Sequence, residues 1–202
     1  RVTATEMLLE ERAPLGVPPI AERVIDSPLQ SVSDEELSHT ERFALREEPG
    51  QRVHLLGHGE LATLIGARGH GFTTWRDLDV HRFREDTAHG PSGTFVYVRN
   101  RQTGRVWSAG YEPTRTKADE HFVELSPDKV RFQRRDGEIE TIMELVVSPE
   151  FPAELRRITL TNLGSTPVEL DVTSYAEVIL APRAADLAHR AFNNLFVVTE
   201  AM

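Results

Sequence analysis

Short runs in which apolar and polar residues alternate, each closed by turn-forming residues, dominate this chain. Val130 and Phe132 alternate with Arg131 and Gln133, then Asp136-Gly137 leads into Glu138 to Val147. An Asp-Gly pair suits a two-residue hairpin turn because both central positions need positive φ. Ile158 and Leu160 alternate with Arg157, Thr159 and Thr161, and Asn162-Leu163-Gly164-Ser165 turns the chain into Val168, Leu170 and Val172. Upstream, Val53, Leu55, Leu61, Thr63 and Ile65 alternate around Gly57-His58-Gly59. Thr94 to Val98 is a β-rich run between Pro91-Ser92-Gly93 and Gln102-Thr103-Gly104. A side-chain period of two places one set of residues on a buried face. About ten short strands at this spacing, with no helical stretch long enough for a parallel crossover, predict an all-β fold, a large antiparallel β-sandwich.

Length and charge narrow what such a sandwich can do. The 202 residues fit one domain with an extra segment at one end, and 39% hydrophobic with 27% charged residues is globular composition. The net charge of −9 opposes binding to nucleic-acid phosphates or anionic lipid, so no nucleic acid and no direct membrane contact are expected. The absence of cysteine excludes a disulfide framework, a thiolate metal site and a Cys nucleophile, and fits a reducing compartment. No apolar window approaches a membrane span.

The first 20 residues have a different character. Thr3-Ala4-Thr5-Glu6 forms a capping box ahead of a short helix over Met7 to Arg12, stopped before Pro14. Leu15 to Ile20, with Gly16, Pro18 and Pro19, is a linker. Residues 1–20 are thus expected to be the tail of a preceding module and 21–202 the sandwich. Ser33-Asp34-Glu35-Glu36 predicts a short helix or turn, and Leu195-Phe196-Val197-Val198 a final strand-like run. Both ends read as cut, and the chain is expected to be a piece of a longer polypeptide.

Several motifs invite a chemical reading. His54 and His58 have a spacing that metal ligands use on a helix, but Gly57 and Gly59 interrupt it in a strand–turn–strand pattern, so the two rings are expected not to share a face and to have a structural or exposed role. Asp77-Leu78-Asp79 presents two carboxylates, as some divalent-cation sites do, amid Arg76, His81, Arg82 and Arg84, and ion pairing is the plainer role. The Gly66 to Gly71 stretch lacks the dinucleotide fingerprint and reads as a hairpin loop. Glu47-Glu48 and Glu85-Asp86 are adjacent acids, and adjacency alone does not place two acids across a glycosidic bond. The serines sit in turns, without a nucleophile elbow. The stretch from Phe72 to Asp86 is the most distinctive. Trp75, Arg76 and Arg84 are candidate sugar-binding residues, because an aromatic plane stacks on a pyranose while guanidinium forks grip hydroxyls. The alternative is an Arg/Asp-laced seam with Trp75 as a core anchor.

These residues also carry a resemblance. Phe72-Thr73-Thr74-Trp75-Arg76-Asp77-Leu78, Arg82-Phe83-Arg84-Glu85-Asp86 and Trp107-Ser108-Ala109-Gly110-Tyr111-Glu112-Pro113-Thr114 resemble the N-terminal sandwich domain of glycoside hydrolase family 94, formerly glycosyltransferase family 36. Val146 to Glu150, Glu154 to Arg157, Val172 to Val178 and Ala191 to Phe196 extend the likeness in order. Within the family the chain is most similar to the cyclic β-1,2-glucan synthases, with Ala4 to Arg12 resembling the end of their preceding module.

The resemblance implies a supersandwich of the glycoside phosphorylase N-terminal domain type. It further implies a multidomain bacterial parent, an inverting glycosyltransferase or glycoside phosphorylase with a downstream (α/α)6 barrel. Inorganic phosphate would be the parent's co-substrate if the parent is a phosphorylase, with no cofactor, metal or catalytic residue expected in this chain. β-Glucan or an oligosaccharide would be the ligand, a homodimer the assembly and the cytoplasm the location. In the family a loop of this domain reaches a sugar across the dimer interface, and the matching segment Asp186 to Asn194 makes Arg190 and Asn193 candidate sugar contacts. A noncatalytic support for barrel, dimer interface and sugar cleft is therefore expected. The rivals are a freestanding carbohydrate-binding module and a structural dimerisation domain.

Overall fold

The computed structural model describes residues 40–45, 52–82 and 92–200. Thirteen strands lie among them: β1 Glu41–Ala44, β2 Val53–His58, β3 Leu61–Gly66, β4 Gly71–Trp75, β5 Leu78–His81, β6 Thr94–Asn100 and β7 Val106–Ser108. β8 Glu120–Ser126, β9 Lys129–Asp136, β10 Ile139–Val147, β11 Glu154–Asn162, β12 Leu170–Ala176 and β13 Val178–Ala181 follow. Short helices α1 Arg183–Ala188 and α2 Arg190–Asn193 and a 3-10 turn Asn194–Phe196 complete the described chain. The tail and linker expected over 1–20, the turn at 33–36, Glu47-Glu48, Arg84 and Glu85-Asp86 lie outside the described residues.

Every strand pairing is antiparallel. The strands form a sheet in the order β1-β8-β9-β10-β11, another in the order β13-β5-β4-β3-β2, and a three-stranded sheet β12-β6-β7. The first sheet packs against the other two. Val123, Phe132, Met143 and Leu145 from it meet Leu56, Ile65 and Val96 in one cluster, and Ile139 meets Val98 and Trp107 in another. The predicted antiparallel sandwich is present, with more strands than the alternation alone resolves.

The β9–β10 hairpin lies where the sequence predicts one, but its central residues are Gly137 and Glu138 rather than Asp136 and Gly137. Asp136 ends β9 opposite Ile139, and of the expected pair only Gly137, at φ 64, has positive φ. The Gly66 to Gly71 stretch is the β3–β4 hairpin, with the amide of Gly69 donating to Gly66 O at 2.8 Å. No helix among the described residues is long and apolar enough to cross a membrane.

Four local expectations need correction. Val53 and Leu55 point outward, at 55% and 64% exposure, while Leu56 carries the buried face of β2 at 3%. The strand is a sheet edge, and its consecutive apolar residues Leu55-Leu56 hide which side faces in. His54 and His58 both lie in β2 and share a side of the strand, contrary to the expectation that they would not. They still cannot share an ion, because four extended residues span roughly 13 Å. Val172 is half exposed, because the β12 face beyond Leu170 has no apolar layer over it among the described residues. Leu195 to Val198 is not a strand but a 3-10 turn and its exit. The Phe192 and Phe196 rings stack edge to face with centroids 5.0 Å apart, which favours a coiled backbone over an extended one.

Candidate functional site

The four sugar candidates among the described residues, Trp75, Arg76, Arg190 and Asn193, fall in two places, and Arg84 lies outside the described residues. Trp75 ends β4, half-buried, and Arg76 begins the turn into β5 with φ 56. This left-handed backbone folds the Arg76 guanidinium back over the Trp75 ring, 4.6 Å from its centroid. Arg76 Nε also donates to Glu60 Oε2 at 2.7 Å. The ring face that would meet a pyranose is thus partly occupied by the arginine predicted to assist it. Asp77 is exposed in the same turn. Asp79 is buried in β5 and accepts two hydrogen bonds from Arg183, at 2.8 and 3.1 Å. The ion pairing expected for this acidic motif is present, though its partner comes from α1 rather than from neighbours in sequence.

Arg190 and Asn193 lie on α2, joined to the Trp75 turn by no hydrogen bond or ion pair. Arg82, buried just beyond β5, binds residues on either side of them in the chain. Arg82 Nε and Nη2 donate to Asp186 at 2.9 and 2.8 Å, Nη2 also to Asn194 Oδ1 at 3.0 Å, and Nη1 to Glu177 at 3.2 Å. The Arg82 hydrogen bond holds the Asp186 carboxyl below its ordinary range against the opposing effect of burial, with Asn193 and the charge of Arg190 adding to it. Arg183, meanwhile, crosses the Phe72 ring at 4.7 Å while gripping Asp79. Two arginine–carboxylate forks therefore run in opposite directions between β5 and α1.

A third polar group lies between the sheets. Glu154 Oε2, on β11, accepts from Thr63 and Thr73 at 2.8 and 2.6 Å, and Arg156 Nε donates to Glu154 Oε1 at 2.6 Å. Burial pushes the Glu154 carboxyl up, but the Arg156 charge and these hydrogen bonds outweigh it and hold it low. His81 Nε2 meets Thr73 at 3.2 Å, and burial keeps the ring neutral.

The chemistry open to these groups follows from their partners. Asp79, Glu112, Asp136 and Asp186 are the buried carboxylates among the described residues. Each is gripped by arginine: Asp79 by Arg183, Glu112 by Arg68 and Arg115, Asp136 by Arg134 and Arg105, Asp186 by Arg82. A general acid must be free to hand a proton to the leaving oxygen, and a carboxylate held in an arginine ion pair is engaged elsewhere. Among the described residues no group of three or more His, Asp or Glu is placed to hold a metal ion. A cavity of about 340 Å³, lined by Ala44, Leu45, Tyr111 and the Lys117 to Phe122 segment, contains none of the predicted sugar residues.

Comparison with known proteins decides what family this architecture represents. The family described as Glycosyl hydrolase 94, supersandwich domain, matches residues 40–202. The chain belongs to that family. This supersandwich domain is 32% identical to a cyclic β-(1,2)-glucan synthase, NdvB, of Rhizobium meliloti, over 98% of this chain and 7% of that protein. It is 36% identical to a cellobionic acid phosphorylase of Neurospora crassa over 41% of this chain and 10% of the relative. It is 28% identical to a solabiose phosphorylase of Paenibacillus borealis over 43% and 11%. The chain thus covers a small fraction of each relative's length.

Arg82 and Asp186 were not among the sequence-predicted site residues of the supersandwich. The Asp79-x-x-Arg82 and Arg183-x-x-Asp186 spacings are charge-reversed images of one another, the one signal that could have flagged their pairing.

Proposed function

We propose that this supersandwich is a noncatalytic, carbohydrate-associated domain of a larger glucan-active enzyme, a cyclic β-1,2-glucan synthase or a glycoside phosphorylase-like protein. It supports a downstream (α/α)6 barrel, contributes to a homodimer interface and lines one side of a sugar cleft. Its ligand is a β-glucan or oligosaccharide, its location cytoplasmic, and nucleic acid and membrane are not its partners. Inorganic phosphate is the co-substrate of the parent enzyme where that enzyme is a phosphorylase, acting at residues outside this chain.

The observation that carries the noncatalytic reading is the arginine pairing of all four buried carboxylates among the described residues. An inverting reaction needs an acid free to give its proton to the leaving oxygen, and each of these carboxylates is engaged by an arginine. The glucan association draws on the near-full-length match to a cyclic β-(1,2)-glucan synthase.

The test is a phosphorolysis assay. The 202-residue chain, incubated with inorganic phosphate and linear β-1,2-glucan, is expected to release no glucose 1-phosphate above a blank. Release proportional to the amount of chain overturns the proposal. Titration with β-1,2-gluco-oligosaccharides separates the rival carbohydrate-binding module. Saturable binding at millimolar or tighter concentration, lost in Trp75→Ala with the fold retained, favours that module.

A further inference from the structure

The segment carrying Arg190 and Asn193 is too short to hold its own shape. α1 has six residues and α2 four, and helices of that length are unstable in water without tertiary support. Apolar burial does not supply the support, because Leu187, Phe192, Leu195 and Phe196 are all exposed. The one buried residue of α1 is Asp186, and α2 has none. What fixes this segment to the sheet is polar. Arg183 donates outward to Asp79 on β5, and Arg82 donates inward to Asp186.

The second attachment has a particular geometry. Arg82 Nη2 reaches both Asp186 Oδ1 at 2.8 Å and Asn194 Oδ1 at 3.0 Å. The two ends of the arc from Asp186 to Asn194 are therefore closed on a single nitrogen, with Arg190 and Asn193 between them. The guanidinium is planar and its donors diverge at fixed angles, so binding two acceptors at once sets the span of the arc as well as its distance from the sheet. Among the described residues Arg190 makes no ion pair of its own, and its charge acts on Asp186.

We propose that Arg82 is a positioning residue for ligand recognition by Arg190, closing the arc through Asp186 and Asn194 so that this exposed side chain is held toward a β-glucan. This rests on the reading that Arg190 contacts sugar. The Asn193 amide nitrogen is buried against the arc. Arg82 itself is buried and touches no ligand. Asn194 is the arm of the clamp whose loss leaves the charge pair intact.

The experiment uses the full-length natural polypeptide, titrated with linear β-1,2-gluco-oligosaccharides. The variants are Arg190→Ala, Asn194→Ala, Arg82→Gln and the double variant Arg190→Ala/Asn194→Ala. Arg190→Ala is expected to weaken binding about tenfold or more, by analogy with loss of a charged hydrogen-bond donor. Asn194→Ala is expected to weaken it several-fold with the melting temperature unchanged. The double variant should be no worse than Arg190→Ala alone, since a residue acting only through Arg190 has nothing left to position. Amide exchange over residues 186–194 should rise in Asn194→Ala. Arg82→Gln, if it folds, should match Asn194→Ala or exceed it.

Two results overturn the proposal and are distinguishable. If Arg190→Ala leaves affinity unchanged, the sugar-contact reading fails and the clamp with it. If Arg190→Ala weakens binding while Asn194→Ala does not, or the two losses multiply, the contact stands and the positioning role fails.

Discussion

Arg134 and Asp136 occupy the same face of β9 and bury each other completely, with no side-chain surface left to solvent. Arg134 Nε and Nη2 donate to the carboxylate at 2.7 and 2.8 Å. Its other donors go to Ser108 O, Gly110 O and Thr116 O at 2.9, 2.7 and 3.1 Å. All five guanidinium protons are thereby used. Ser108 ends β7 and Gly110 and Thr116 lie in the β7–β8 connection, so this one side chain ties a long loop to the sheet beneath it.

Removing Arg134 leaves a buried carboxylate whose one remaining ion-pair partner among the described residues is Arg105, and takes the Arg134 donor from three carbonyls. Arg134→Met is expected to lower the unfolding free energy by about 3–5 kcal/mol. The double variant Arg134→Met/Asp136→Leu should recover little, because the orphaned carbonyls remain. Urea unfolding followed by tryptophan fluorescence measures both. Full recovery in the double variant would show that the ion pair alone mattered.

Trp107 offers a smaller test of the same principle. Its indole N–H donates to Thr141 Oγ1 at 3.1 Å, and both residues are fully buried. Thr141→Val keeps the shape and deletes the acceptor, so the loss should be about 1–3 kcal/mol. A loss below a few tenths in the same unfolding assay would mean that the indole finds another acceptor.

Those two cases show what was legible and what was not. The place of the β9–β10 hairpin is legible in Gly137, whose positive φ opens a two-residue turn, but the turn runs through Gly137-Glu138 and Asp136 belongs to the strand. Val130 and Phe132 announce the buried face of β9, but the same alternation carries Arg134 and Asp136 into the core, where a pattern of apolar residues does not look for charges. Trp75 draws attention by its company of arginines, yet Trp107 is the fully buried tryptophan. Arg82 and Asp186 meet across 104 residues, as do Asp79 and Arg183. No periodicity within a strand reports a contact at that range. The antiparallel architecture was visible because it is a sum of local features, whereas the clamp behind the candidate sugar residues is a tertiary one.

Acid should destabilise the domain in two stages. Burial, reinforced by the Arg134 charge, pushes the His121 imidazole down to about 3 from 6.5. Burial also lowers His81 and His70. The unfolded chain therefore takes up protons near pH 6.5 that the folded chain refuses, and stability falls as pH drops from there toward 3. The slope for one such site approaches about 1.4 kcal/mol per pH unit. Asp186 and Glu154, both held low, add stability that is present above their unfolded pKa values and lost as pH falls through the folded ones. Urea midpoints between pH 7.5 and 4 should decline from about 6.5 downward, and His121→Gln should flatten the upper part of that decline. A midpoint constant down to pH 5 would contradict the buried neutral histidines.

Two glycine substitutions should fail for different reasons, and the contrast tests the β3–β4 packing. A Cβ on Gly71 would lie 2.0 Å from Leu64 O and 3.0 Å from Ile65 Cα. Both are backbone atoms of the paired strand, so neither can swing aside. Gly71 also donates its amide to Ser92 O at 2.8 Å, which prevents it from backing away without breaking that bond. Gly71→Ala should therefore cost about 3 kcal/mol or more, the upper end for forced overpacking. Gly59 sits at φ +59 with nothing within 4 Å of its would-be Cβ. Gly59→Ala meets only the backbone penalty of a left-handed residue, about 1–2 kcal/mol. Thermal unfolding should rank Gly71→Ala well below Gly59→Ala. Equal losses would mean that the hairpin relaxes around Gly71 and that β3 and β4 are held less closely than their register requires.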